Sequence, residues 1–202
     1  MTRIVLVRHG ETEWNREERF RGRIDVDLNA TGRAQAEACA RTIAARWKPS
    51  AVYSSPLSRA VHTAEPIAHR CGLPVRRLEG LTDIDYGEWH GLTPEDARMR
   101  WPELTETWLR TPGRIGPPGG ESLRALQARV LAAVQSLART HVDDTIVAVA
   151  HKVVNRVLLL TAVDADLDAF FRVGQATGAI NVIEVTEHGL SAVVVNDTCH
   201  LT

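Results

Sequence analysis

Lysine is the scarcest charged residue in this chain: Lys48 and Lys152 are the only two among 24 basic side chains, and arginine supplies the rest. Acidic side chains number 25, so neither sign of charge is in excess and the formal net charge is -1. That balance gives no global attraction to nucleic acid or to an acidic membrane surface. Cysteine is also sparse. Cys39, Cys71 and Cys199 are far apart, odd in number and form no C-x-x-C pair. This excludes a disulfide framework and a zinc–cysteine cluster, and it suits a reducing, cytoplasmic setting. No apolar run approaches the ~18 residues of a membrane span. The opening stretch, Met1-Thr2-Arg3-Ile4-Val5-Leu6-Val7, is too short for a secretory leader. Internal repeats and low-complexity tracts are missing too. What remains is an ordinary globular composition, 44% hydrophobic and 24% charged. The 202 residues are expected as one domain over 1–202. A domain of this size buries roughly 70% of its unfolded surface and needs neither a metal nor a disulfide to hold together.

Apolar patterning divides the chain into alternating strands and helices. Ile4 to Val7 is a short uncharged run, read as a buried strand. Asn29 caps a helix reaching about Trp47, with Ala34, Ala38, Ile43 and Ala45 as its apolar stripe. Ala51-Val52-Tyr53 reads as a strand, and Pro56 opens a helix that carries Ala60, Val61, Ala64, Ile67 and Ala68 and ends before Gly72. Val75 to Leu78 is a third strand. From Gly80 to Gly120 periodicity fades while Trp, Pro and Gly are frequent, which predicts an inserted cover segment with short helices. Ser122 then caps a helix from Leu123 to about Thr140, with Leu126, Val130, Leu131, Val134 and Leu137 on one face. Thr145 to Ala150 is a strand, and a helix follows from about Val153 to Leu160. Ala179 to Val185 and Leu190 to Val195 close the chain as two strands around His188-Gly189. The fold class expected is α/β, a three-layer α/β/α arrangement around a mostly parallel sheet with a small inserted cover at about 80–120. Ligands in such sheets bind beyond the carboxyl ends of the strands.

Two histidines sit where that rule points. The first strand runs into Arg8-His9-Gly10-Glu11-Thr12, and the strand ending at Ala150 runs into His151. A lone histidine at a strand end is more often structural than catalytic. One flanked by an anion-binding arginine and by a glycine that permits close backbone approach is a stronger signal. Polar groups follow at Thr12, Asn15, Arg21 and Gly22.

Val7-Arg8-His9-Gly10-Glu11-Thr12, with Trp14-Asn15 after it, resembles the opening signature of the histidine phosphatase superfamily, the phosphoglycerate-mutase-like proteins. Arg21-Gly22, Asp27-Leu28, Gly32 and Gln35-Ala36 resemble the loop and first helix of that family. Ser54-Ser55-Pro56-Leu57-Ser58-Arg59-Ala60 with Thr63-Ala64 resembles its second motif. Asp83 to Gly91 is similar to its acid-carrying stretch, and Ala150-His151 to its second histidine motif. Four motifs in order are far more specific than an isolated R-H-G triplet.

The resemblance implies a phosphomonoester hydrolase that needs neither metal nor cofactor. His9 would attack phosphorus, Arg8 and Arg59 would hold the equatorial oxygens, and a cationic His151 would add a third positive contact. Asn15 and the Arg21-Gly22 loop would contact phosphate as well. The general acid falls on Asp83, where relatives usually carry glutamate; Asp85 and Glu88 are its alternatives. Lys152 stands where many relatives have glycine, and it is read either as extra charge near the phosphate or as a simply exposed residue. The chain is short, and Arg98, Arg100, Arg110 and Arg114 are the basic candidates of its cover. Hydrolysis is therefore expected rather than phosphoglycerate-mutase-type transfer. A metallohydrolase using His9, His62, His69 and Asp83, and a silent phosphate-binding relative, are the rival classes. Trp89, Trp101, Trp108 and Leu104 either line the cover or form its own core. The partner expected is a small phosphorylated substrate, with no nucleic acid and no membrane, and the last strands could pair two copies into a homodimer.

Overall fold

The layers follow from alternation along the first strand. In β1 (Thr2–Arg8), Ile4 and Leu6 join one apolar cluster while Val5 and Val7 join another. Successive side chains of a strand point to opposite faces, so both faces of β1 must be covered. The computed structural model describes residues 1–201. Five further strands complete the sheet: β2 (Ala51–Ser54), β3 (Val75–Arg77), β4 (Thr145–Ala150), β5 (Ile180–Thr186) and β6 (Gly189–Asp197). Their order is β3-β2-β4-β1-β5-β6. The β3–β2, β2–β4 and β4–β1 pairs are parallel, and β5 and β6 add an antiparallel margin beyond β1.

Among the described residues seven α-helices accompany the sheet: α1 (Glu13–Arg16), α2 (Ala30–Arg46), α3 (Ser58–Cys71), α4 (Pro94–Arg100), α5 (Pro102–Arg110), α6 (Leu123–Thr140) and α7 (Lys152–Ala162). On one face, Cys39, Ala40 and Ile43 of α2 and Ala60, Ala64 and Ile67 of α3 pack with Val5 and Val7. On the other, Leu126 and Val130 of α6 and Val154 and Leu158 of α7 pack with Ile4 and Leu6. This is the three-layer α/β/α arrangement. Among the described residues no helix is long and apolar enough to cross a membrane.

Two local expectations need correction. The buried stripe of α2 runs through Ala36, Ala38, Cys39, Ala40 and Ile43, while Ala34 and Ala45 are exposed. In an alanine-rich helix nearly every face offers a small apolar side chain, so periodicity alone does not choose the packed one. The helix after β2 starts at Ser58, not Pro56. Its start is held from far along the chain: the Asp25 carboxylate accepts from Ser58 N at 2.8 Å and from Ser58 Oγ at 2.7 Å.

The 80–120 segment holds α4, α5 and two 3₁₀ turns, Gly87–Trp89 and Pro112–Arg114. Trp89 and Trp108 are buried, with ring centroids 5.8 Å apart in an edge-to-face contact. Trp101 and Leu104 pack half-buried against the same cluster. The aromatic residues form core, and only Trp108 among these four also lines the cavity described next.

Candidate active site

Parallel pairing places Arg8 of β1 opposite Ala150 of β4. Both strands stop there, and His9 N donates to the Ala150 carbonyl at 3.0 Å. The residues just beyond the two ends, His9 and His151, are thereby neighbours, with ring centroids 5.3 Å apart. Beside them opens a cavity of about 1260 Å³ whose lining includes Arg8, Arg21, Asp83, Lys152, Arg156 and Trp108.

The loop after β1 can take this path only because it lacks side chains at two points. A Cβ on Gly10 would lie 2.3 Å from the Gly32 carbonyl oxygen, and a Cβ on Gly32 would lie 2.1 Å from that of Glu11. The loop and the first turn of α2 therefore touch backbone to backbone. Thr63 of α3 ties the loop down, accepting from Gly10 N at 3.0 Å and donating to the Arg59 carbonyl at 2.7 Å.

His9 is fully buried, and its Nδ1 lies 2.7 Å from the Gly10 carbonyl oxygen. A carbonyl only accepts, so Nδ1 carries a proton, and in the neutral ring Nε2 keeps its lone pair. Nε2 has no hydrogen-bond partner among the described residues. Burial, then Arg59, His151, Arg8 and Arg21, hold the imidazole pKa well below its usual range. The ring is a neutral base with one free nitrogen amid fixed positive charge.

Three arginines supply that charge. Arg59 is fully buried; its Nη2 donates to the Gly22 carbonyl at 2.6 Å and to Asp83 Oδ2 at 3.2 Å, and its Nη1 to the Ile24 carbonyl at 2.9 Å. Arg8 donates to the Gln175 carbonyl, and burial followed by Arg21 lowers its pKa to about 9. Arg21 reaches Thr12 Oγ1 at 3.5 Å, and burial followed by Arg59 lowers it to about 10.

Asp83 completes the group. Its Oδ1 accepts from Ile84 N at 3.0 Å, and its Oδ2 faces both Arg59 and His151 Nδ1, the latter at 3.6 Å. Burial raises its pKa, while Arg59 and Arg21 oppose the rise. The two other carboxylates weighed from sequence lie elsewhere: Asp85 pairs with Arg23 at 3.4 Å and accepts from Gly87 N, and Glu88 is exposed.

His151 Nε2 sits 2.7 Å from Ser55 Oγ, and burial, then Arg59, Arg21 and Arg8, push its pKa well below the usual value. The arginines around it thus oppose the cationic form expected for this ring. Asn15 spends its side-chain oxygen on Thr12 N and Oγ1, at 2.9 and 3.0 Å, and lines the cavity. Gly22 acts through its carbonyl on Arg59. Its φ of 49° and a Cβ position 2.5 Å from the Ile84 carbonyl oxygen leave no room for a side chain. The metal-ligand set weighed from sequence is not assembled: His62 pairs with Asp27 at 2.5 Å, His69 is exposed, and no group of three His, Cys, Asp or Glu among the described residues could hold a metal ion.

Three contributors were not singled out from sequence: Ser55, Thr63 and the Gln175 carbonyl. Ser55 and Thr63 fall within quoted motifs; Ser55 is marked only by being polar beside the end of β2, and Thr63 only by being polar on the helix that follows. Gln175 lies 167 residues from Arg8, and nothing local marks it.

The family model of the histidine phosphatase superfamily, branch 1, matches residues 4–198. Phosphoserine phosphatase 1 of Hydrogenobacter thermophilus is 33% identical over 201 residues, covering 100% of this chain and 95% of that protein. The bifunctional protein Rv2228c of Mycobacterium tuberculosis is 36% identical over 201 residues, 99% of this chain, and the chain spans 55% of its length. Among solved structures, Bacillus stearothermophilus YhfR superposes with a TM-score of 0.94 at 31% identity over the full length of both chains. A phosphoserine phosphatase mutant from Entamoeba histolytica in complex with phosphoserine gives 0.89 at 26% identity, again over both full chains. The motif order, the paired strand-end histidines and the full-length match agree: this chain belongs to the histidine phosphatase superfamily.

Proposed function

We propose that this phosphoric monoester hydrolase works without metal through a phosphohistidine on His9, acting on a small phosphorylated metabolite. The observation that carries the mechanism is the state of His9: Nδ1–H bonded to the Gly10 carbonyl, and a buried, unpartnered Nε2 beside three arginines.

In the first displacement, Nε2 forms a bond to phosphorus and the ester P–O bond breaks. The departing oxygen takes a proton from the Asp83 carboxyl, whose raised pKa favours the protonated form it must have. In the second, water attacks phosphorus, gives its proton to Asp83, and the N–P bond breaks to restore His9. Arg8, Arg59 and Arg21 hold the equatorial oxygens through both steps. A dianion beside His151 raises its pKa, so this ring takes up positive charge when substrate binds. Asn15, which lines the same cavity, would contact the phosphate through its amide.

Phosphate release from simple monoesters is expected to persist in EDTA and without any bisphosphate. Loss of activity on chelation, or strict dependence on 2,3-bisphosphoglycerate, would overturn the reading. The acid is tested separately. Asp83→Asn is expected to lower kcat on an alkyl phosphate by roughly 10²–10⁴-fold, while Glu88→Gln stays within about twofold of wild type, as surface changes usually do. The reverse ranking in steady-state assays would move the role to Glu88.

A further inference from the structure

Three polar side chains sit where their sequence neighbours are apolar and buried. Asn155 interrupts Val153-Val154 and Val157 to Leu160 on α7, and Asn181 stands between Ile180 and Val182 on β5. Gln175 lies on the segment that leads into β5. Asn155 and Asn181 have no exposure to water, and Gln175 is 6% exposed. Asparagine is a poor former of helices and strands, and a buried amide costs free energy unless its hydrogen bonds are made.

The backbone fixes which way each amide points. Asn196 N can only donate, and it gives its proton to Asn181 Oδ1 at 2.7 Å. The Leu6 carbonyl can only accept, and it receives from Asn181 Nδ2 at 3.0 Å. Asn181 and Gln175 then close a two-bond amide pair. Gln175 Nε2 donates to Asn181 Oδ1 at 2.7 Å, and Asn181 Nδ2 donates to Gln175 Oε1 at 3.1 Å. Asn155 Nδ2 donates to the same Gln175 Oε1 at 3.1 Å. Of the side-chain polar atoms in these three amides, only Asn155 Oδ1 has no partner among the described residues. Orientation is thus imposed from β1 and β6, and it ends on Gln175.

Gln175 makes one more bond, and that bond leaves the cluster. Its backbone carbonyl accepts from Arg8 Nη1, while Arg8 Nε is buried without a partner among the described residues. Arg8 lines the cavity, whereas Asn155, Gln175 and Asn181 do not. A guanidinium is a rigid plane, so with its stem on β1 the hold on one terminal nitrogen restricts where its other donors can point. The same segment also supports the nucleophile loop. The Ala179 carbonyl accepts from Arg8 N at 3.0 Å, and Gly178 N donates to the His9 carbonyl at 3.2 Å. Apolar side chains would fill the same volume, but they would give the Gln175 carbonyl no fixed place.

We infer that Asn155, Gln175 and Asn181 are positioning residues for phosphoryl transfer: through the Gln175 carbonyl they set where the Arg8 guanidinium meets the phosphoryl oxygens. The inference rests on the proposed arginine clamp and extends it to groups outside the cavity.

A double-mutant cycle reads the connection to Arg8, which a purely structural role would not produce. Gln175→Met keeps the side-chain length and the backbone carbonyl but breaks the amide pair, and Arg8→Met removes the guanidinium. Inorganic phosphate is titrated by calorimetry into wild type, the two single variants and the double variant, and kcat/KM on a simple aryl monoester is measured on the same preparations. Gln175→Met is expected to weaken phosphate binding and to lower kcat/KM by about tenfold each, the scale of one loosened charge-assisted contact. In the Arg8→Met background the same change should cost less than about twofold. Equal factors in the two backgrounds, or unchanged phosphate affinity in Gln175→Met, overturn the inference. If Gln175→Met fails to fold, Asn155→Ala decides by the same criteria, with an expected loss of about threefold because it removes one neutral hydrogen bond. Arg8→Met with wild-type phosphate affinity would overturn the clamp itself. Absence of phosphate release by wild type bears on the hydrolase reading, and the phosphate affinities still decide whether these amides act through Arg8.

Discussion

His9→Ala is expected to reduce phosphate release by about 10⁴–10⁶-fold, the scale on which loss of a nucleophile is felt when its partners act as a unit. In the proposed mechanism alanine removes the attacking nitrogen and leaves the three arginines in place to bind substrate. The clearest readout is covalent. Wild-type protein quenched during turnover of a ³²P-labelled monoester should carry label that is lost in acid and kept in alkali, and His9→Ala should carry none. Circular dichroism of the variant should match wild type, because the loop is also anchored by Thr63 on Gly10 N and by the close Gly10–Gly32 contact. Label on the variant, or turnover close to wild type, would move the nucleophile elsewhere.

Arg59→Ala should damage activity and stability together. The guanidinium holds Gly22, Ile24 and Asp83 at once with no exposure to water. Removing one partner of a buried ion pair typically costs about 3–5 kcal/mol, which in a domain near 200 residues lowers the unfolding midpoint by roughly 6–20 °C. Turnover is expected to fall by about 10²–10³-fold from loss of one fixed transition-state donor. Loss of Arg59 also lets Asp83 titrate higher still, because this arginine is the largest influence opposing its rise. Arg59→Lys should recover little of either quantity, since one ammonium cannot serve two carbonyls and a carboxylate in the same geometry. Thermal unfolding and steady-state kinetics on the same preparations test both effects, and a midpoint within 2 °C of wild type, on the same ~2–4 °C per kcal/mol scale, would show that the buried network is not structural.

Much of the site was legible because its residues sit at strand ends. His9 and His151 each follow a short apolar run directly, and the Arg8 and Gly10 neighbours give one of them a chemical signature. The strands were readable for the same reason: a run buried on both faces has to be uninterruptedly apolar, as Thr145–Ala150 nearly is. The helical stripe of α2 was not, because alanine carries too little contrast to mark a face. The start of α3 was hidden in another way, since its cap is Asp25, 33 residues earlier.

The sequence by itself determined the residue types, the order of the elements and the family, because motifs and hydrophobic periods are local properties of a chain. Only the tertiary structure decided which of Asp83, Asp85 and Glu88 faces His151, that burial and arginines oppose a proton on that ring, that Gly22 works through its carbonyl, and that Lys152 and Arg156 line one cavity. Each of these depends on how far apart two groups lie and how much water lies between them. Parallel pairing of β1 with β4 brings together groups more than 100 residues apart. Burial then turns a nearly neutral, arginine-rich composition into a concentrated positive field around one nitrogen.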